Sequence, residues 1–437
     1  MIEVALLLKG ARLIDPAVDL DQIADIVVRD GLIAEVGPDL SIPKGQIIDL
    51  GNKIITPGFV DMHVHLREPG YEYKESIESG TRAAVHGGFV GIAPMANTHP
   101  ITDTGAAVEA LNRKIATDAH CHVYPIGAIT QGQKGQKLAE MGDMHTAGAV
   151  AFSDDGKGVQ NSGLVRTAMD YAKIFDTPLL LHCEDEALID GACINEGTAS
   201  TRLGMKGSPA LGESLAIQRE LALAQLTGCP IHICHVSTKE GVEAIRQAKA
   251  ADVAVTAEVT PHHLLLTEEV IDETYDTNLK MNPPLRTEED RQALIEGLKD
   301  GTIDCIATDH APHAAHEKQV EFDLAAHGTT GLETAVPLLL DRLVATGEID
   351  YATLVNALAH NPRKTLRLGP VSLKKGSIAD LTVIDPDAEV QFTPEWFESK
   401  SKNSAFIDEK VVGRATDVLI DGQWAMRDGE VLTREYA

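Results

Sequence analysis

Between Pro57 and Leu373 the chain alternates short apolar runs with amphipathic stretches, eight times over, and few folds accept that pattern. The runs lie near 58–64, 89–95, 121–128, 148–153, 178–182, 230–235, 253–258 and 303–308. Their length and near-continuous apolarity suit strands buried on both faces of a parallel sheet. Helical periodicity fills the gaps, for example at 103–117, 213–227, 238–250 and 287–300. Eight β–α alternations favour an α/β fold of the closed (β/α)8, TIM-like barrel type over an open doubly wound sheet. A dinucleotide-binding sheet also lacks its phosphate signature here, because no Gly-x-Gly-x-x-Gly follows a run.

The two ends read differently. Residues 1–56 hold short strand-like runs at 6–8, 26–28, 32–36 and 47–49, with Asp30-Gly31 as a hairpin signal. Residues 374–437 do the same, with runs at 381–384 and 418–420 and the pairs Asp421-Gly422 and Asp428-Gly429. Neither end has the apolar length to make a core alone. The expectation is a small accessory β-sheet or sandwich built from both termini, residues 1–56 and 374–437, beside a barrel domain at 57–373.

Four of the runs end on metal-ligand chemistry. Phe59-Val60-Asp61-Met62 leads into His63-Val64-His65, and the runs at 178–181, 231–234 and 303–308 lead into His182, His235 and Asp309. The C-terminal ends of barrel strands are where such folds build their chemistry. Residues two apart on a strand face the same way, ~6.6 Å apart, so His63 and His65 suit one ion together. Asp154 and Asp155 follow the fourth run. A carboxylate can bridge two cations where an imidazole cannot, and a dinuclear site would lower the pKa of a shared water or hydroxide toward neutrality. Asp309 is the candidate general base and acid, ionised at neutral pH beside the cations. Arg67 offers a guanidinium fork for a substrate carboxylate. Asn97 and Asn282 are polar groups at the same mouth. His262 and His263 are read as structural, and the other histidines show no convergent context.

Charge and cysteine usage narrow the partners. The net charge of −28, from 38 basic and 66 acidic residues, argues against nucleic acid and anionic membranes. An acidic metabolite would need a local positive field, which cations and Arg67 would supply. No apolar stretch approaches the ~18 residues of a membrane span, and Met1-Ile2-Glu3-Val4 lacks a basic leader, so a cytoplasmic enzyme is expected. The six cysteines form no Cys-x-x-Cys and read as buried free thiols. Cys183 and Cys234 each adjoin a candidate ligand, and strand alternation should turn both away from the site.

Together His63-x-His65-x-Arg67-x-Pro69-Gly70, Phe152-Ser153-Asp154-Asp155-Gly156, His182-Cys183-Glu184, His235-Val236-Ser237-Thr238, Met281-Asn282-Pro283-Pro284-Leu285-Arg286 and the stretch from Ala307 to His313 resemble class I dihydroorotase, of the amidohydrolase superfamily. The resemblance spans essentially the whole chain. It implies reversible cyclisation of N-carbamoyl-L-aspartate to L-dihydroorotate, the third step of pyrimidine (UMP) synthesis. It also implies one or two Zn2+ per chain, with two expected. His63, His65 and Asp309 would hold one, His182 and His235 the other, and Asp155 would bridge them. Substrate contacts would come from His65, Arg67, Asn97, Asn282 and His313, with the loop at His327-Gly328. A homodimer and an aspartate transcarbamoylase partner are further implications of the resemblance.

Two departures stand out against that pattern. Ala96 replaces a proline usual before Asn97, loosening the backbone there, and His327 replaces a phenylalanine; altered affinity is expected rather than lost activity. Hydantoinases and allantoinases resemble the chain too, but they bridge their metals with a carboxylated lysine where this chain has Ser153. An inactive dihydroorotase-like scaffold should have lost ligands, and here every one is present.

Overall fold

A computed structural model describes residues 5–433. Residues 1–4, on which the reading of the chain start rests, lie outside the described residues. Among those described, no helix is long and apolar enough to cross a membrane.

Strands from both ends of the chain join in one nine-stranded sheet. The early strands are Ala5–Asp15, Leu20–Arg29, Leu32–Gly37, Gly45–Asp49 and Ile54–Pro57, and the late ones are Leu381–Gln391, Lys410–Ile420, Gln423–Arg427 and Glu430–Val431. The two sets meet where Ile54–Pro57 runs antiparallel to Leu381–Gln391, with Leu381 opposite Pro57 and Ile384 opposite Ile54. Three of its hairpins close on Asp-Gly pairs. Both residues of Asp30-Gly31, Asp421-Gly422 and Asp428-Gly429 have positive φ, the backbone a two-residue type I′ turn requires. Side-chain alternation divides the sheet between two cores. Leu6, Leu8, Leu13, Ile26, Ile55, Leu381 and Val383 bury against one another on one face. On the other, Ile14, Ile54, Ile384 and Val418 join the main core of the molecule.

The parallel segments follow the expected order: Phe59–Val64, Phe89–Pro94 and His122–Val123 in one sheet, then Ile126–Gly127, Ala151–Phe152, Leu179–Leu181, Ile231–Ile233, Val255–Val259 and Cys305–Ile306 in another. The third run breaks in two at Pro125, which has no N–H to give the ladder. Past the last strand, Val64 bridges His310 in parallel, and the His65 N–H donates to the His310 carbonyl at 2.9 Å. Helices Gly105–Asp118, Ala210–Thr227, Lys239–Ala250 and Glu288–Asp300 occupy the stretches read as helical.

A small inner cluster holds Met62, Ala93, Met95, Ile126, Ala151, Leu180, Cys234, Cys305 and Ala307. Every parallel strand has a residue in or just beyond it except Val255–Val259. That strand instead carries Glu258, wholly buried. All six cysteines are free and buried, as read from the sequence.

Candidate metal centre

The six expected ligands converge. Asp155 sits at their centre: its Oδ1 lies 3.4 Å from His63 Nε2, 3.5 Å from His182 Nδ1 and 3.4 Å from His235 Nε2, and its Oδ2 lies 3.4 Å from His65 Nε2. Asp309 Oδ1 closes one side, 2.9 Å from His65 Nε2 and 3.5 Å from His63 Nε2. His182 Nδ1 and His235 Nε2 close the other, 2.9 Å apart. One carboxylate thus stands between a His63–His65–Asp309 group and a His182–His235 group.

The neighbouring Asp154 does different work. Its Oδ1 accepts the N–H groups of Ile129 (2.8 Å) and Thr130 (3.0 Å), and its other oxygen takes the Thr130 hydroxyl. Asp154 holds the preceding loop, which leaves Asp155 to face the histidines. Ser153 lies between strand and site, its hydroxyl buried without a hydrogen-bond partner among the described residues.

Each imidazole is aimed by a group behind it. His63 Nδ1 donates to Glu258 Oε1 at 2.6 Å, turning Nε2 toward Asp155. His182 Nε2 donates to Glu184 Oε2 at 2.7 Å, which turns Nδ1 inward instead. His65 Nδ1 donates to Asn97 Oδ1 at 2.9 Å. Such partners set tautomer and ring angle in metal sites, and their loss typically lowers metal affinity ~10–100-fold. Glu258 also accepts from His232 Nε2 (3.1 Å) and the His235 N–H (3.3 Å). Asp61 accepts the N–H groups of His63 (3.1 Å) and Thr308 (3.2 Å), tying the two ligand-bearing strand ends together.

The backbone is bent where the chemistry is. Arg67, His235 and Asp309 have φ of 61°, 33° and 47°, a region that costs a non-glycine residue roughly 1–3 kcal/mol and clusters at functional sites. At His235 the bend corrects an expectation. Cys234 does not turn away; it joins the inner cluster and groups with His63 and Glu258, while His235 reaches the site against strand alternation. Cys183 does pack outward, in the main core.

Electrostatics match a site built for cations. Burial would push the Asp155 carboxyl up, but His63, with His182 and His235, overrides it and holds the group well below the usual carboxylate range. Asp309 behaves alike: burial opposes, while His63 and His65 hold it low and ionised. Glu258 is held down at about 2, against its burial, by His63 and His232. Two facing atoms, His63 Nε2 and Asp155 Oδ1, are buried without a hydrogen-bond partner among the described residues. Buried polar atoms opposed across 3.4 Å with no hydrogen bond between them are what a cation there would satisfy. The donor set of imidazole and carboxylate suits zinc, cobalt or manganese.

Eleven of the twelve predicted site residues line one cavity of about 200 Å³: His65, Arg67, Asn97, Asp155, His182, His235, Asn282, Asp309, His313, His327 and Gly328. His63, the twelfth, is wholly buried against it. A larger cleft of about 520 Å³ beside Arg12 and Tyr351 carries no comparable cluster. Among the described residues, Arg67 is the sole Arg or Lys lining the cavity. Its Nε donates to the Pro312 carbonyl at 3.2 Å, which sets the guanidinium at the rim. His313 Nε2 donates to the His327 carbonyl at 2.9 Å. Burial and then Arg67 push the His313 pKa down to about 2, so it meets a ligand as neutral imidazole. Asn282 Nδ2 donates to Glu184 Oε2 at 2.8 Å.

Elsewhere the sequence reading needs small corrections. The Ala96 carbonyl accepts from the N–H groups of Thr98 (2.8 Å) and Thr102 (3.1 Å), so the turn before Asn97 is pinned without a proline. His262 and His263 are buried and kept neutral by desolvation. His263 spans Thr260 Oγ1 (2.8 Å) and the Pro283 carbonyl (3.0 Å), a structural role as expected. Sequence reasoning missed Glu258, Glu184, Asp61 and His232. A lone carboxylate inside the apolar run at 253–258 was the available signal for the first.

Residues 52–241 match a family model described as dihydro-orotase-like. Over 427 residues the chain is 47% identical to a dihydroorotase of Acetivibrio thermocellus, covering 98% of this chain and 100% of that one. The chain belongs to the dihydroorotase family. A dihydroorotase of Geobacter sp. strain M21 is 48% identical over 425 residues, 97% of this chain and all of its own. Among solved structures, the L-hydantoinase (dihydropyrimidinase) of Arthrobacter aurescens superposes with a TM-score of 0.89 at 27% identity, over 98% of this chain and 97% of that one. A D-hydantoinase at 22% identity and a TM-score of 0.86 shares the fold. Dihydroorotase-family membership and hydantoinase-like architecture agree: this is an α/β cyclic-amide hydrolase with a metal-binding cluster.

Proposed function

We propose that the chain is a dihydroorotase, interconverting L-dihydroorotate and N-carbamoyl-L-aspartate in pyrimidine biosynthesis. The observation that carries this is the pairing, in one cavity, of the Asp155-centred ligand cluster with Arg67, the only lining Arg or Lys among the described residues. A cyclic amide bearing a carboxylate needs both.

His63, His65 and Asp309 would hold one Zn2+, His182 and His235 a second, with Asp155 between them. Bound there, the cations would polarise the ring carbonyl and lower the pKa of a water nucleophile. Asp309, held ionised, takes the proton of the attacking water as the carbon–oxygen bond forms. It returns that proton to the ring nitrogen as the carbon–nitrogen bond breaks, and ring closure runs the same steps backward. Arg67 and Asn97 bind the substrate carboxylate, while His65, Asn282, His313 and the His327-Gly328 loop complete the pocket.

The parallel strands form one closed (β/α)8 barrel, supported by the Val64–His310 bridge and by the shared inner cluster. The domains are 57–373 for the barrel and 1–56 with 374–437 for the accessory β unit, supported by the separate core of the terminal sheet. A cytoplasmic homodimer with an aspartate transcarbamoylase partner rests on the family resemblance.

Dihydroorotate, hydantoin and allantoin assayed side by side, with metal content per chain, test the reading. Preference for dihydroorotate at two metals per chain is expected. Preference for hydantoin would replace it with the hydantoinase reading that the structural neighbours suggest.

A further inference from the structure

The loop bearing His327 and Gly328 is held from behind, by groups outside both the ligand cluster and the cavity wall. Gly328 has φ of +115°, and a Cβ there would meet the Ala311 Cβ at 2.5 Å. Glycine is therefore required, and glycine is the residue least able to hold its own conformation. Its fixity comes from partners. The Gly328 N–H donates to the Lys280 carbonyl at 2.8 Å. The Gly328 carbonyl accepts from both Lys318 Nζ (3.0 Å) and Asn403 Nδ2 (3.2 Å).

Those two donors each hold a second point. Lys318 Nζ also donates to the Ala326 carbonyl at 2.8 Å. Asn403 Nδ2 also donates to the Ala311 carbonyl at 3.0 Å, and its Oδ1 accepts the His313 N–H at 2.9 Å. The Asn403 carbonyl takes the Thr330 N–H at 3.0 Å. Asn403 thus clasps the 311–313 segment to the 328–330 segment. It belongs to the excursion at 392–409, between the terminal-sheet strands Leu381–Gln391 and Lys410–Ile420. A side chain of the C-terminal unit reaches the barrel mouth and spans two substrate-side loops.

We propose that Asn403 and Lys318 are positioning residues for the reaction: by converging on the Gly328 carbonyl they set the separation of the His313 and Gly328 segments, and with it the fit of the substrate. The inference rests on the dihydroorotase reading. Neither residue lines the cavity. Their effect is preorganisation, since a displacement of ~1 Å in a binding wall is enough to cost ~100-fold. A purely structural clasp would lower the melting temperature and leave substrate affinity alone.

The test uses the full-length, metal-loaded protein with L-dihydroorotate. Asn403→Asp keeps the shape and the acceptor for the His313 N–H, but loses both donors and sets an oxygen against two carbonyls. Lys318→Met keeps the apolar stem and loses the ammonium. Each variant is expected to raise KM about tenfold, with kcat within threefold of wild type and metal content unchanged. A KM within threefold of wild type in the folded, metal-replete variant overturns the inference, as does a fall in kcat with KM unmoved. Should Asn403→Asp fail to fold, Lys318→Met decides by the same thresholds. Wild-type protein without turnover would overturn the parent reading and this one together; wild-type turnover with unmoved variant KM overturns this one only.

Discussion

Arg67 is the most exacting place to test the substrate assignment. Among the described residues it is the sole lining Arg or Lys of the cavity, in a chain of net charge −28, so little else there offers a carboxylate a fixed positive partner. Its side chain is anchored through Nε to the Pro312 carbonyl and its backbone held at positive φ, so the fork is placed before substrate arrives. A charge-assisted hydrogen bond contributes about 1.5–3 kcal/mol, and a bidentate fork makes two. In Arg67→Ala, water enters the vacated space and recovers part of the loss, so about 3 kcal/mol is the expected deficit. At 1.36 kcal/mol per decade that is roughly a hundredfold fall in kcat/KM for dihydroorotate. Metal content should not change, because Arg67 is not among the six converging ligands. Dihydrouracil, the same ring without the carboxylate, is the internal control: its rate should fall far less, so the ratio of the two substrates collapses. Steady-state kinetics on both, with metal analysis of each preparation, are sufficient. Wild-type kcat/KM for dihydroorotate in Arg67→Ala would refute the carboxylate assignment.

Replacing Asp155 with Asn leaves the shape but removes the charge facing four imidazoles; bound metal should fall from two per chain to one or none, and two retained metals would reject the bridging role. Asp309→Asn should lower turnover by about 10²–10⁴ while metal is retained, because general acid–base catalysis contributes that much; loss of metal in proportion to activity would reduce Asp309 to a ligand. Glu258→Ala should weaken metal binding ~10–100-fold in competition with a chelator, by freeing His63 and His232 to rotate. Lys318 is pushed down to about 7 by burial and then by Lys280. Between that value and 10.5 the folded state holds fewer protons than the unfolded one. Stability conferred in this way is present at high pH and is lost as pH falls through about 7. Unfolding free energy should therefore rise between pH 7 and 9 by up to about 1.4 kcal/mol per pH unit relative to Lys318→Met, and parallel profiles would refute it.

Much of this site was legible before any coordinates. Apolar runs ending in His63-x-His65, His182, His235 and Asp309 place donors at strand ends, and a strand's direction and period are local properties of the chain. The Asp-Gly pairs were equally readable, since a type I′ turn needs positive φ at two adjacent residues and these residues tolerate it. What could not be read depends on distance in space. Glu258 is one polar residue in an apolar run, and only the tertiary fold sets it 2.6 Å from His63, nearly two hundred positions earlier. Asn403 carries no signal in the sequence, and only the tertiary fold lays it across the segments at 311–313 and 328–330.

Cys234 and His235 show the boundary most clearly. Alternation assigned them opposite faces, and a single backbone bend at φ 33° brings both toward the centre. Sequence by itself determined which groups could bind cations and on which strands they would ride, because residue type and period are written locally. The three-dimensional arrangement decided which nitrogen each imidazole presents and what braces the substrate loops. Those outcomes are set by hydrogen-bond partners drawn from remote segments, and no local pattern encodes a partner that folding alone supplies.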